Sequence, residues 1–306
     1  MSFDDAPVIA VGPKPDPDFD AAISAGGGEP GPLARADGLV WTDSRAPLPT
    51  LPPSVRWVQL PFAGVEGFLD SGVVTANPKV VFTSAAGAYS GTVAEQAIAL
   101  LLAGVRGLWR RETAWDAAGA AARTGRLGGT TVAIVGAGGI GRDLIPALRG
   151  LGVKVVAVNR SGTDVSDAVV VTADRLDEVW AAVDHVILAA PSTAETRALV
   201  NAKVLEQLKP HSWIINVARG SLIDTDALVA ALRKGAIGGV GLDVTDPEPL
   251  PDDHPLWSIP NAIITPHVAN PPQHLRPALL ARVEVNVRRF ANDMEPLAVI
   301  DADRGY

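Results

Sequence analysis

Residues 131–141 read TVAIVGAGGIG, a β-branched apolar run that stops at a cluster of glycines. Gly136, Gly138 and Gly141 fit G-x-G-x-x-G, with Gly139 and Ile140 inside the turn, directly after an expected strand and at the opening of an expected helix. Glycines there allow a tight turn, close approach of a pyrophosphate and packing of the helix on the strand, while the helix N-terminus faces the negative charge. The pattern alone is weak. With a strand before it and a helix after it, a dinucleotide site is the better reading than a plain turn. Arg142 follows the last glycine and can touch the pyrophosphate.

Working outward, apolar runs alternate with helical patterns from residue 130 onward: VKVVAVN (153–159), HVILAAP (185–191), SWIINVARG (212–220), GGVGLDV (238–244) and AIITPH (262–267). Continuous apolar strands separated by helices mean a parallel sheet covered on both faces. Upstream, shorter strands such as PVIAVG and RWVQLPFAG are separated by Pro- and Gly-rich loops. TVAEQAIALLLAGVRGLWRR (92–111) has helical spacing, with Thr92 as expected N-cap and Glu95 completing a capping box. The expected fold class is α/β, with two Rossmann-like domains of parallel sheet flanking a cleft. A flavodoxin-like substrate domain takes residues 1–92 plus 276–306, and a dinucleotide-binding domain takes residues 93–275.

Composition narrows the function. The 306 residues are 47% hydrophobic and 20% charged, with a net charge of −8 and no cysteine. An acidic balance excludes nucleic acid or an anionic membrane as main partner, and the lack of cysteine excludes disulfides and thiol catalysis. Acids in MSFDDAPVIAVG stand where a signal peptide needs a positive region. AIALLLAGV (97–105) is too short to span a bilayer. A soluble, cytoplasmic protein is expected.

The strand after the glycine turn ends at Asn159, followed by Arg160 and Ser161. A carboxylate at that end accepts from both ribose hydroxyls of NAD, whereas Arg160 can pair with the 2′-phosphate of NADP and Ser161 can donate to it. NADP is therefore expected over NAD.

Three charged residues follow the ends of late strands: Arg219 after WIINVA, Glu248 after GLDVTDP and His267 after AIITP. In a parallel sheet these ends share the edge that carries the dinucleotide turn. The set suits reduction of a 2-keto acid. Arg219 can grip a carboxylate through its planar fork, His267 can hand over a proton, and Glu248 can orient the ring and favour its charged form. His185, His211, His254 and His274 show no metal-ligand spacing, and no metal is expected.

These motifs, with FAGVEGF, YSGTVAEQAIALLLAGVR, APSTAETRALVNAKVLEQLKP and GLDVTDPEPLPDDHPLW, carry a resemblance from about residue 60 to 275. The sequence resembles the D-isomer-specific 2-hydroxyacid dehydrogenase family, which includes glyoxylate and hydroxypyruvate reductases. The resemblance implies Arg219, Glu248 and His267 as the catalytic set, with backbone N–H groups of Ala63, Gly64 and Val65 meeting the substrate carboxylate. It also implies Asp243 at the nicotinamide carboxamide, and main chain at Pro191 and Ala218 lining the cofactor. Family members pair as homodimers, here through an arm holding Trp109 and Trp115, although both rings could equally be intramolecular core. Departures fall at Asn270, a polar side chain able to enter the substrate pocket, and at Phe62 and Glu66. The chain ends soon after its last helix, so a regulatory extension is not expected. The same resemblance carries rivals: a nucleotide-sensing protein such as a corepressor, or an acid dehydrogenase of the formate or phosphite type.

Overall fold

Alternation of apolar side chains along each strand supplies two faces that must both be covered. In the computed structural model, which describes residues 6–165 and 167–305, the chain resolves into two units. One holds the residues up to Tyr89 with those from Pro271 onward, and the other is Ser90–Asn270. The acidic opening Asp4-Asp5 lies outside the described residues. These boundaries fall a few residues before the expected ones, because the helix expected from Thr92 already begins at Ser90 and the final helix begins at Pro272.

In the first unit, β1 (Val8–Gly12), β2 (Glu29–Pro30), β3 (Gly38–Trp41), β4 (Trp57–Gln59) and β5 (Val81–Thr83) form a parallel sheet in the order β2-β1-β3-β4-β5. That order is the flavodoxin-like one. Helices α1 (Pro17–Ala25) and α2 (Glu66–Asp70) belong to this unit. Ile9 and Val40 pack on one face with Phe19, Ile23 and Trp57. Their neighbours Ala10 and Leu39 pack on the other with Phe68 and Phe82.

The second unit is larger. Helices α3 (Ser90–Val105), α4 (Ala117–Arg123), α5 (Gly139–Gly150), α6 (Ala202–Gln207) and α7 (Thr225–Lys234) accompany seven parallel strands. The strands are β6 (Thr131–Val135), β7 (Lys154–Asn159), β8 (Val169–Thr172), β9 (His185–Leu188), β10 (Trp213–Asn216), β11 (Gly239–Leu242) and β12 (Ala262–Ile264). Their order, β12-β11-β10-β9-β6-β7-β8, reverses between β9 and β7 at β6, a doubly wound arrangement whose ligand crevice lies at the switch point. Val132 and Ile134 face α3 and α5, while Ala133 and Val135 face the opposite layer. Strand β8 is short and lies at the sheet edge, with Val169 exposed and the next three residues partly buried, so it lacks the long apolar run of the inner strands from which the sequence reading starts.

Two expectations about α3 need correction. Thr92 lies inside the helix rather than capping it, and its hydroxyl donates to Asn270 Oδ1 at 3.2 Å. The helix also stops at Val105 instead of reaching residue 111, because Gly107 takes a left-handed conformation (φ 71°) just beyond, the usual way to end a helix. Within α3, Gly104 is required by Trp213, whose ring would lie 2.3 Å from any Cβ placed there. The last helix, α8 (Pro272–Ala291), returns to the first unit and packs on α1 through Leu279, Val283 and Val287. Among the described residues no helix is long and apolar enough to cross a membrane.

Candidate active site

Because every strand of the second sheet runs the same way, the turns after β6, β7, β10, β11 and β12 leave from one edge. At β6 the chain turns through Gly136, whose φ is 95° and whose absent side chain lets the backbone of Ala190 approach; a Cβ would meet Ala190 N at 2.4 Å. Gly138 caps α5 and has the opposite environment, with open space where a Cβ would stand. Gly139 and Ile140 open the helix, and Gly141 lies buried against Ala137. First-turn N–H groups of a helix lack intrahelical acceptors and attract an anion. One glycine demanded by close packing, and another opening onto vacant space at a helix start, fit a dinucleotide pyrophosphate. Arg142 is exposed on the first turn. Pro191, next to Ala190, accepts a hydrogen bond from Thr196 Oγ1 at 2.7 Å.

At the end of β7, Asn159 donates through Nδ2 to Thr163 O at 2.9 Å, whereas its Oδ1 is buried with no hydrogen-bond donor from the protein. An orphaned acceptor where a ribose hydroxyl is expected suits the same ligand. Arg160 is exposed, 4.0 Å from Glu195, and the Ser161 and Thr163 hydroxyls are hydrogen-bonded at 2.5 Å.

Arg219 is delivered by a local clasp that was not recognised in the sequence. Asn216, fully buried at the end of β10, accepts from Ala218 N at 3.1 Å and donates to Arg219 O at 2.8 Å. Arg219 Nη1 in turn donates to Ala218 O at 2.7 Å. An Asn closing an otherwise apolar strand is the sequence signal for it. The next residue must be glycine, since a Cβ at Gly220 would lie 2.0 Å from the backbone of Thr245. That contact locks the exit of β10 against the exit of β11.

The exits of β11 and β12 are tied together by Asp243, which is 2% exposed. Its carbonyl accepts from His267 N at 2.8 Å. Its carboxylate accepts from Thr265 Oγ1 at 2.6 Å, Val268 N at 3.0 Å and Ala269 N at 2.9 Å. His267 itself has φ 52°, a left-handed conformation unfavourable for most side chains that this network sustains. Pro266 and the φ of His267 thus end the strand and turn the imidazole outward. The ring meets Glu248, with Nδ1 and Oε1 2.6 Å apart. A carboxylate can only accept, so Nδ1 carries the proton and Nε2 faces away from Glu248. Thr245 N reaches Glu248 Oε2 at 3.4 Å, and both side chains remain about half exposed. The carboxylate of Asp243, expected at the nicotinamide carboxamide, is already engaged by three donors of the His267 loop.

Asn270, three residues on, keeps a buried Nδ2 with no protein partner. In the other unit, Ala63 N donates to Tyr89 Oη at 2.7 Å, so one of the three amides expected at the substrate carboxylate is already bonded; Gly64 and Val65 complete that loop. The arm after α3 divides its tryptophans. Trp109 packs on Trp213 with ring centroids 6.3 Å apart, whereas Trp115 is 98% exposed.

Comparison with known proteins places these features in company. Residues 98–269 match the family described as D-isomer specific 2-hydroxyacid dehydrogenase, NAD binding domain. The chain is 40% identical over 293 residues to an uncharacterised protein from the proB 3′ region of Corynebacterium melassecola, covering 94% of this chain and 95% of that one. It is 31% identical over 252 residues to the glyoxylate reductase of Pyrococcus furiosus, covering 78% and 72%. Among solved structures, an NADPH-dependent glyoxylate/hydroxypyruvate reductase from Sinorhizobium meliloti, in complex with NADP and malonate, superposes with a TM-score of 0.70 at 28% identity, over 97% of this chain and 98% of that one.

Proposed function

The chain belongs to the D-isomer specific 2-hydroxyacid dehydrogenases, and on that premise we propose that it reduces a small 2-keto acid of the glyoxylate or hydroxypyruvate type to the D-2-hydroxy acid, with NADPH preferred over NADH. The observation that carries this reading is the His267–Glu248 pair at 2.6 Å on the edge of the sheet where the glycine turn also lies.

The nicotinamide cofactor, when bound, supplies the hydride. Gly138, Gly139, Ile140 and Gly141 hold its pyrophosphate, Arg142 adds a cation there, Asn159 meets the ribose, and Arg160 with Ser161 takes the 2′-phosphate. Main chain at Pro191 and Ala218 flanks it. Arg219 binds the substrate carboxylate and polarises the carbonyl, and the family resemblance adds the backbone N–H groups of Gly64 and Val65 as carboxylate donors. His267, protonated on both nitrogens, gives its Nε2 proton to the oxygen that becomes the hydroxyl. Glu248 accepts from Nδ1–H and fixes the ring. Asn270, whose Nδ2 has no protein partner, borders the substrate. The exposed Trp115 supports assembly as a homodimer through the arm after α3, which sedimentation of the W115A variant against the parent would check.

The direct test follows the absorbance of NADPH and of NADH with glyoxylate, hydroxypyruvate and pyruvate, for the parent and His267→Ala. Fast NADPH oxidation that collapses in the variant is the expected outcome. Tight cofactor binding without turnover on a broad keto-acid panel would instead leave a nucleotide-sensing protein.

A further inference from the structure

Within the second unit, helix α3 reaches the loop that carries His267. Thr92 and Gln96 stand one turn apart on that helix, so their side chains share a face. Thr92 Oγ1 donates to Asn270 Oδ1 at 3.2 Å, and Gln96 Nε2 donates to Thr265 Oγ1 at 3.0 Å. The loop from Thr265 to Asn270 is therefore tied at both ends to one helix. The helix is itself well anchored. Val93, Ala97, Leu100 and Leu101 are buried in one cluster with Ile134 of β6 and Ile215 of β10, and Leu100 packs so closely on β11 that a Cβ at Gly241 would meet its Cβ at 3.0 Å.

The tie at Thr265 has a direction. The carboxylate of Asp243 can only accept, so its 2.6 Å contact with Thr265 Oγ1 uses the single hydroxyl proton. The hydroxyl oxygen is then left to accept, and the amide nitrogen of Gln96 supplies that donor. Hydrogen bonds thus run one way, from Gln96 through Thr265 to Asp243. Asp243 passes the hold on: its carboxylate takes the amides of Val268 and Ala269 at 3.0 and 2.9 Å, and its carbonyl takes that of His267 at 2.8 Å. With Gln96 in place the Thr265 hydroxyl has one orientation. Without it the hydroxyl can turn, and the carboxylate that sustains the left-handed His267 loses a fixed donor.

We propose that Gln96 is a positioning residue for His267, acting through Thr265 and Asp243 on the backbone of the His267 loop. The inference rests on the reading that His267 supplies the proton in reduction. A residue that acts by placing the acid matters when the proton moves, so its loss falls on kcat and not on cofactor binding.

Gln96→Met removes the donor and keeps the length of the side chain. With glyoxylate, hydroxypyruvate or pyruvate, whichever the parent reduces fastest, its kcat should fall about tenfold, the lower end of the loss for an orienting partner. The Kd for NADPH should stay within about twofold by fluorescence titration. Thr265→Val should show a similar fall in kcat, and Thr265→Ser, which keeps the hydroxyl, should restore most of it. The double variant Q96M/T265V should lose no more than T265V alone, because the two side chains act in one chain. A parent-like kcat in Q96M, a matching loss of NADPH affinity, or losses that multiply in the double variant would overturn the proposal while leaving the reductase reading intact. Should Gln96→Met fail to fold, Gln96→Ala, with the best helix former at a mid-helix position, takes its place. Hydrogen exchange of the apoprotein gives a readout independent of turnover. The amides of Val268 and Ala269 should exchange about tenfold faster in Q96M than in the parent, with those of β6 unchanged. That result supports the tie even if no keto acid is reduced, and unchanged exchange at both amides removes it.

Discussion

Asp243 and His267 stand at the exits of adjacent strands, and the backbone of one holds the backbone of the other: His267 N donates to Asp243 O at 2.8 Å. The Asp243 carboxylate takes the next two amides, Val268 N and Ala269 N. This arrangement fixes a histidine in a left-handed conformation that a free loop would leave. Asp243→Asn keeps the shape but loses charge and one acceptor. Its kcat should fall by about 10- to 100-fold, the loss typical of a displaced orienting partner, with the Kd for NADPH within about twofold by fluorescence titration. If Asp243 acted instead at the carboxamide, the Kd would weaken in step with kcat.

The Glu248 contact fixes the orientation of the His267 ring, with Nδ1 and Oε1 2.6 Å apart. His267→Ala should lower kcat by about 10²- to 10⁴-fold, the range for losing a general acid. Glu248→Gln should cost less, about 10-fold, since an amide oxygen can still accept from Nδ1–H but holds the ring less firmly. Steady-state rates of the parent, H267A and E248Q check this, and an E248Q variant with the parent's kcat would remove Glu248 from the orientation of the ring.

Arg160 is exposed just after the end of β7, 4.0 Å from Glu195. A charge-assisted hydrogen bond to phosphate contributes ~1.5–3 kcal/mol. Arg160→Ala should therefore raise the KM for NADPH by about 10- to 100-fold while that for NADH changes little. Parallel losses with both cofactors would place Arg160 on a group they share.

Residues with a periodic or motif-bound role were legible in the sequence. Gly136, Gly138 and Gly141 announced the turn, and the late apolar runs announced parallel strands ending at Arg219, Glu248 and His267. Spacing could not reveal the side chains that work through a three-dimensional clasp. Asn216 looks like the polar end of a strand until its amide is seen on both sides of Ala218 and Arg219. Gly220 looks like an ordinary loop glycine until the backbone of Thr245 is found against it. Thr92 read as a cap because its local pattern is that of a capping box, but tertiary pairing with Asn270 and an earlier helix start prevailed over the local signal.

Acid should destabilise the second unit over two pH ranges, set by two residues at the start of β9. His185 is buried, accepts Trp213 N through Nδ1 at 3.2 Å, and has its pKa lowered from 6.5 to about 4, by burial first and then by His211. The unfolded chain binds this proton from pH 6.5 downward and the folded one does not until about pH 4. Stability thus falls across that window, by about 3 kcal/mol in all. Asp184 continues the trend. Burial opposes its ionisation, but hydrogen bonds from Lys209, Thr131 N and His211 outweigh it and bring its pKa from 3.8 to about 2. Its contribution, full above pH 3.8, is lost as pH falls toward 2 and amounts to ~2 kcal/mol. His185→Asn retains an acceptor near Trp213 N but cannot titrate. Urea midpoints measured from pH 7 to pH 3 should decline for the parent from about pH 6.5, while the variant holds level until the carboxylates protonate. The same early decline in H185N would assign the first step to another group.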